Sequence, residues 1–427
     1  MKGRAQRAGV FAASSGETAT GMFVAFRQPL YLRLWLSSTV VLLGVMAQTV
    51  ARGWLAFDLT GSNAALGGVL LAFGVALVLA TPWGGVVADR WPKRLVLHVS
   101  TALFAATSAW IGIAVALGVV AYWMLLAAGA AQAVAFALYN PARMAFLGEL
   151  VPRAQLPGAV SLMLLNAEAS RVAGPALAGV VIATAAIGVQ VVFLACAVLF
   201  TGGLVVGLAL PPGRRRDGAP ARSPLVEMAD GISYIAARPP LALLLPCGIG
   251  VVMVGLPYLA FLPTVADGIF DAGAVGYGIL SASSAVGAVI GGLLLGRRGQ
   301  RGDEWRLLVV FGIAFGLSLS GLAVAPSFSW AVAVLVPLGA CLLAFQTINQ
   351  SLLLELSDLL YHGRIQGLVM LSFGAFGIAA LPLGVLADAI GLRQTLAGMG
   401  GGVIVIMVVF AVLSHRHWGQ TTLRDLG

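Results

Sequence analysis

The chain has 427 residues, of which only 10% are charged and 60% hydrophobic, with a formal net charge of +9. Ordinary globular proteins carry roughly 25% charged residues, so a water-soluble fold is excluded and a polytopic membrane protein is implied. The positive balance needs no nucleic acid, because basic loops facing an anionic inner leaflet account for it.

Residues 1–28 are polar and small, with no apolar core ahead of a cleavage site, and read as a cytoplasmic tail without a cleavable signal peptide. Apolar runs of about 20 residues, enough for a helix to cross a hydrocarbon core about 30 Å thick, then recur along the chain. The first six centre on 33–57, 65–87, 95–118, 121–146, 158–185 and 188–210. The stretch Pro211–Pro240, with Arg214, Arg215 and Arg216, breaks the pattern and reads as a cytoplasmic linker. Six more spans centre on 241–265, 275–296, 306–325, 329–355, 365–387 and 393–414, followed by a tail over 415–427. The runs are continuous where barrel strands would alternate. The expectation is an all-α membrane protein of twelve transmembrane helices, in six-helix halves over 29–210 and 241–414.

Basic residues set the direction. With the amino terminus in the cytoplasm, 22 of the 25 basic residues fall in the tails or on one side, leaving only Arg52, Arg171 and Arg393. Loops of the other side hold Asp58, Asp267, Asp271 and Asp388 beside Arg393. This asymmetry predicts a multi-pass protein of the inner or plasma membrane with both termini cytoplasmic. Trp35, Trp54, Trp83, Trp123, Trp305 and Trp330 fall near span ends, as an interfacial aromatic belt would. Cys196, Cys247 and Cys341 are scattered within apolar runs, and His98, His362, His415 and His417 lie at or beyond span ends. Neither set has the spacing of a disulfide framework or a metal site, and no cofactor is expected.

The halves echo each other. Phe136, Asn140 and Gly158 match Phe345, Asn349 and Gly367 at a shift of 209, and Gly84-Gly85 matches Gly291-Gly292 at 207. These matches point to two six-helix halves related by a pseudo-two-fold axis along the membrane normal, able to rock about a midplane cavity.

Between spans two and three stands Gly84-Gly85-Val86-Val87-Ala88-Asp89-Arg90-Trp91-Pro92-Lys93-Arg94. This loop resembles the signature loop of the major facilitator superfamily at Gly85, Asp89, Arg90, Lys93 and Arg94, with Pro92 replacing the usual glycine. The resemblance extends through Ala51-Arg52-Gly53-Trp54-Leu55, Asn140-Pro141-Ala142-Arg143 and Arg171-Val172-Ala173-Gly174-Pro175, and is closest to the drug-efflux branch that includes enterobactin exporters and macrolide efflux proteins. It implies that the loop latches a cytoplasmic gate against the start of span eleven, and that Gly174-Pro175 is the span-five element associated with antiporters. A proline frees a backbone carbonyl, so a kink there is expected. One departure is that the arginine many such exporters carry within span four is absent from Gly129-Ala130-Ala131-Gln132-Ala133.

Charges at membrane depth are functional candidates because each costs about 2.5–3.5 kcal/mol on insertion scales. Glu168 and Arg171 are three apart, on one face of span five near the midplane. Burial and the neighbouring guanidinium act on Glu168 in opposite directions, which makes it the candidate proton carrier; a static ion pair is the alternative. Arg52 either snorkels to the outer surface or faces the cavity. Gln48, Gln132, Asn140, Asn166, Gln346, Asn349 and Gln350 are candidates for the substrate pathway, or else hydrogen-bond between helices.

The expected function is secondary active export of a small amphipathic molecule, such as a drug or siderophore, by proton antiport and alternating access. The alternatives are a proton-coupled importer on the same fold and a non-transporting sensor or scaffold. An enzyme is not expected, since no cluster of His, Asp or Glu lies within the spans, and no Gly-rich Lys-Ser/Thr phosphate loop occurs. The expected partners are the substrate, protons and the lipid bilayer; a monomer suffices.

Overall fold

Helices dominate because a backbone crossing hydrocarbon must satisfy its own hydrogen bonds. The computed structural model describes residues 22–152, 155–183, 188–213, 224–298, 303–358 and 361–418, and no strand occurs among them. A 3₁₀ turn (Met22–Arg27) leads into α1 (Pro29–Thr60), α2 (Asn63–Arg90), α3 (Lys93–Ala116), α4 (Tyr122–Leu150), α5 (Leu156–Ala183) and α6 (Gly188–Leu208). After the linker come α7 (Pro224–Ala236), α8 (Pro239–Gly255), α9 (Tyr258–Thr264), a π-helical turn (Val265–Ile269) and α10 (Gly273–Arg298). The chain continues with α11 (Glu304–Ala323), α12 (Phe328–Glu355), α13 (His362–Ile390) and α14 (Leu392–Trp418).

Among the described residues eleven stretches are long and apolar enough to cross a membrane, with Pro239–Ile269 counting as one span made of α8, α9 and the π turn. The 28-residue α5, which carries Glu168 and Arg171, completes the bundle by packing along α1 and α10. Two features differ from the expected layout. The seventh span is broken near Leu256-Pro257, because Pro257 and Pro263 remove amide donors that a continuous helix needs. The linker contains a helix of its own, α7.

Each half repeats one packing plan. In the first, α2 packs on α4, α3 on α4 and α6, and α1 on α5 and α6; in the second, α10 packs on α12, α11 on α12 and α14, and α8 on α13 and α14. Gly84 of α2 lies against the Ala137 carbonyl of α4, and Gly291 of α10 lies against the Ala340 carbonyl of α12. At both places a Cβ would meet backbone, which is why small residues recur at these positions.

The carboxy-terminal ends of α2, α4, α6, α10 and α12 lie at one end of the bundle, here called the basic face, and those of α1, α3, α5, α11 and α13 at the opposite face. Turn chemistry is sharpest at the opposite face. Gly61 ends α1 in the left-handed region (φ 63°), donating to the Phe57 carbonyl at 2.7 Å, and Ser62 then caps α2 by accepting from the Ala65 amide at 3.4 Å. Arg393, the lone base of that face, donates to the Ala323 and Ala325 carbonyls at 3.2 and 2.8 Å, satisfying the end of α11. Trp83, Trp123 and Trp330 are well exposed near helix ends, as a belt requires. Trp35, Trp54 and Trp305 instead pack inward: Trp35 donates to the Leu162 carbonyl, and Trp54 and Trp305 stack on Tyr277 and Phe410.

The repeated packing predicts that Gly84→Val and Gly291→Val each lower stability by about 1–3 kcal/mol, the usual effect of overpacking. Thermal unfolding of purified protein in detergent would show both variants shifted down by similar amounts. An unshifted Gly291→Val would refute the shared packing.

Candidate functional site

The two halves meet along a seam of α2 with α13 and α5 with α10. Backbones approach directly in it. Gly67 lies against Ala380 and Leu381, Gly74 against Gly374 and Gly377, Gly384 against Asn63, and Gly179 of α5 against Gly278 of α10. Toward the opposite face the seam closes with hydrogen bonds. The Asp388 carboxylate at the end of α13 accepts from Ser62 Oγ at 2.6 Å and from the Asn63 amide, Asn63 Nδ2 and the Ala64 amide, each at 2.9 Å. A carboxylate on the free amides of a helix amino end complements both the unpaired donors and the helix dipole. Thr264 of α9 adds a bond to Asn63 Oδ1 at 2.7 Å. Tyr277 of α10 donates to the Val50 carbonyl of α1 at 3.3 Å while its ring stacks on Trp54.

A second polar constellation lies inside the first half. Gln48 donates to Ser108 Oγ, Gln132 donates to Gln48 Oε1 at 2.5 Å and to Thr107 Oγ1 at 3.1 Å, and Arg52 Nη2 donates to Gln132 Oε1. Arg52 is only 6% exposed, so it does not snorkel. Its guanidinium lies near Gly129 of α4, close to where the sequence lacks a span-four arginine. Its Nε has no hydrogen-bond partner, and among the described residues Arg52 forms no ion pair. Lower on α4, Arg143 is likewise buried; Nη2 donates to Asn140 Oδ1 at 3.0 Å, while Nε and Nη1 have no partner. Beside it Tyr139 donates to Ser38 at 3.4 Å. Gln48, Arg52 and Gln132 are thus brought together, within a closed helical interior.

The remaining sequence candidates are dispersed. Asn166 of α5 is buried with Nδ2 unpartnered. Arg171 is exposed on the same helix, and the Glu168 side chain lies outside the described residues. In α12, Asn349 donates to the Leu244 carbonyl at 3.2 Å, Gln346 is half-buried and Gln350 exposed. Gly174 sits against α1 between Leu43 and Ala47, and α5 continues as helix through Pro175. Close approach to α1 is therefore what Gly174 provides.

In the loop after α2, the side chains at Gly85 and Asp89 lie outside the described residues, and Arg90 is exposed. Lys93 pairs with Glu149 of α4 at 3.0 Å, and Arg94 donates to the Leu210 carbonyl after α6 at 3.0 Å. These two bases therefore tie α3 to its own half. No metal-holding group of His, Cys, Asp or Glu occurs among the described residues. Sequence reasoning missed the latch of Asp388, Ser62, Asn63 and Thr264. Its local signal was present in Gly61-Ser62, a left-handed turn followed by a capping serine, but the partner lies 326 residues away.

The sequence profile described as "Transmembrane secretion effector" matches residues 20–424. The chain is 21% identical over 382 residues to the staphyloferrin A transporter of Staphylococcus aureus, covering 89% of this chain and 95% of that one. It is 22% identical over 392 residues to macrolide efflux protein A of Streptococcus pyogenes, covering 90% and 96%. Among solved structures it resembles the nucleoside transporter NupG (TM-score 0.70, 16% identity, 90% of this chain and 98% of that one). It also resembles a bacterial homologue of the human lysosomal transporter Spinster (TM-score 0.67, 15% identity, 91% and 97%). At these identities the solved structures establish the fold alone.

Two predictions follow from the geometry. Asp388→Ala removes an acceptor with four donors, each bond to a charged group being worth about 1.5–3 kcal/mol at most. Spin labels at Leu59 and Ile390, both exposed at the opposite face, would report longer distances in this variant; an unchanged distribution would show the carboxylate dispensable to closure. For the buried network, Gln132→Leu strips Arg52 of its acceptor and is expected to lower the unfolding midpoint. Adding Arg52→Met should restore most of the loss, since replacing a buried charge by apolar volume is often neutral. A double variant less stable than Gln132→Leu alone would contradict this.

Proposed function

The chain belongs to the transmembrane secretion effector family of the major facilitator superfamily, and from that premise we propose that it is a secondary active exporter of a small amphipathic molecule, driven by proton antiport. That it is a transporter of this superfamily and no enzyme follows from family and relatives. The observation that carries the export reading is full-length similarity to two proteins whose names denote macrolide efflux and staphyloferrin A transport. A drug or a siderophore is the substrate class this similarity favours.

The geometry supports alternating access as the mechanism. The two halves touch through glycine backbones and a small polar latch, which can separate without unfolding either half. The glycine contacts between α2 and α13 extend from Gly384 against Asn63, beside the Asp388 latch, to Gly374 against Val78, about 22 Å along α2 at 1.5 Å per residue. In the proposed orientation the basic face is cytoplasmic, so this arrangement is closed to the outside. The loop from Gly85 to Arg94 then guards the cytoplasmic entrance. The opposed charges of Asp89 and Arg364 at the facing ends of α2 and α13 form the gate that closes when the outer latch releases.

Coupling is assigned to α5. Glu168 lies eleven residues, about three turns, before Gly179, whose backbone meets α10. That contact lies about 16 Å along the helix from the Glu168 position. In this reading Glu168 takes up a proton from outside and releases it inward. Gln48, Arg52 and Gln132 hold α1, α3 and α4 as one body during the motion, whereas Asn166, Gln346 and Gln350 line the substrate path.

The test is proton release from acidified inverted vesicles on adding macrolides and carboxylate siderophores, comparing wild type with Glu168→Gln at matched expression. A substrate-dependent signal that is lost in the variant supports antiport through α5. A signal that persists assigns Glu168 to a structural pair. Proton uptake that accompanies substrate entering from the outer side would replace export with import.

A further inference from the structure

A cavity of about 460 Å³ opens at the opposite face, on the side of the seam where α1, α5 and α10 meet. A drug-sized molecule needs roughly 300–1,000 Å³, so the space suffices for one. Both halves build its wall. Trp54 and Asp58 of α1, Val120 ahead of α4 and Val189 of α6 come from the first half, and residues 272–275 at the start of α10 come from the second. Trp54 and Asp58 are four residues apart and so share one face of α1. The indole is held in place by its stack on Tyr277, with centroids 5.9 Å apart. Asp58 is exposed, and among the described residues it is the one ionisable side chain of this wall. It forms no hydrogen bond or ion pair among them.

The charge of Asp58 does not serve its helix. It stands in the last turn of α1, which ends at Thr60, where the helix dipole disfavours a negative group. It adds instead to the field of a face that also holds Asp267, Asp271 and Asp388. The one base there, Arg393, is engaged with the Ala323 and Ala325 carbonyls. A free carboxylate beside an indole, at the rim of an apolar cavity, matches a cation that carries an apolar body. We propose that this cavity binds an amphipathic organic cation arriving from the opposite face, with its ammonium at Asp58 and its apolar part against Trp54, Val120 and Val189. Such a ligand touches α1 and α10 together only while the halves are joined here. It therefore binds the closed arrangement more tightly than the open one and shifts the population toward it. It acts on the α1–α10 side of the seam, apart from the Asp388 latch between α2 and α13. The bound cation is thus a second clasp, supplied by the surroundings, that holds the opposite face shut.

Binding and the spacing of the halves are measured without transport, so failure here is separable from failure of the export reading. The test uses full-length protein in phosphatidylcholine nanodiscs, with empty discs as the blank and benzyltributylammonium as the probe. Equilibrium binding should weaken about fivefold in Asp58→Asn, the ratio that one exposed ion pair can supply, and should return in Asp58→Glu. Thermal unfolding of Asp58→Asn should match wild type, since the carboxylate has no partner to lose. Equal binding by wild type and Asp58→Asn, or no binding above empty discs, would overturn the site. The second readout is the distance between spin labels at Trp123 and Val324, which are 62% and 68% exposed at the opposite face of the two halves. It is taken in Asp388→Ala, with Cys196, Cys247 and Cys341 replaced by alanine. The cation should shorten the distances in this unlatched variant and have no effect once Asp58→Asn is added. Distances that stay the same or lengthen would overturn closure by the ligand.

Discussion

Inside hydrocarbon no hydrophobic force presses one helical surface against another, because lipid tails are as apolar as leucine. Two halves that share a membrane must therefore hold each other by close backbone contact and by hydrogen bonds. The seam in this protein uses both means, in different places. Gly67, Gly74, Gly374, Gly377 and Gly384 bring α2 and α13 together along their length, while the Asp388 carboxylate gathers four donors at one end. Contacts of the first kind are many, weak and easily reformed after sliding. The carboxylate cluster is directional and is either made or broken. This division lets one end of the seam define a state while the rest merely permits it.

The halves share a packing plan but not a chemistry. The first half buries Arg52 and Arg143 with Gln48, Gln132, Thr107 and Ser108 among its helices. In the second half the described buried bonds are simpler, such as Tyr258 with Ser284 at 2.7 Å and Asn349 with the Leu244 carbonyl. A polar network ties its members to one arrangement, because each alternative leaves a donor unsatisfied in a medium without water. The first half is thereby built as the stiffer partner. The broken seventh span, with its prolines and π turn beside Thr264, belongs to the other.

Most of the architecture was legible from the chain because hydrocarbon imposes a length and a composition that any window can measure. The apolar runs reappear as helices, and the match of Gly84 with Gly291 at a shift of 207 residues reappears as repeated packing. The links between distant residues were not legible. Asp388 reads in sequence as one more acid in an outer loop, and only the fold brings it to Ser62. Arg52 reads in sequence as either snorkelling or facing the cavity, because distance from a helix end says nothing about rotation about the helix axis. The α7 helix was hidden for another reason: its apolar positions are too few for a span and lie within a basic stretch. Trp54 and Trp305 were placed correctly near helix ends, yet they face protein, which periodicity around an end cannot reveal.

The alignment of α1 with α5 has a mechanical consequence. Tyr31 donates to the Ala159 carbonyl and Trp35 to the Leu162 carbonyl, and Gly174 seats on α1 between Leu43 and Ala47. The two helices run parallel in constant register, offset by 127 or 128 residues, and are pinned at both low and middle levels. They form a pair of rods held together at those levels. A displacement of α5 in its middle is then carried along α1 toward Val50 and Trp54, which meet Tyr277 at the far end. The pair converts a local push into a tilt, and the seal farthest from the push is the first to feel it.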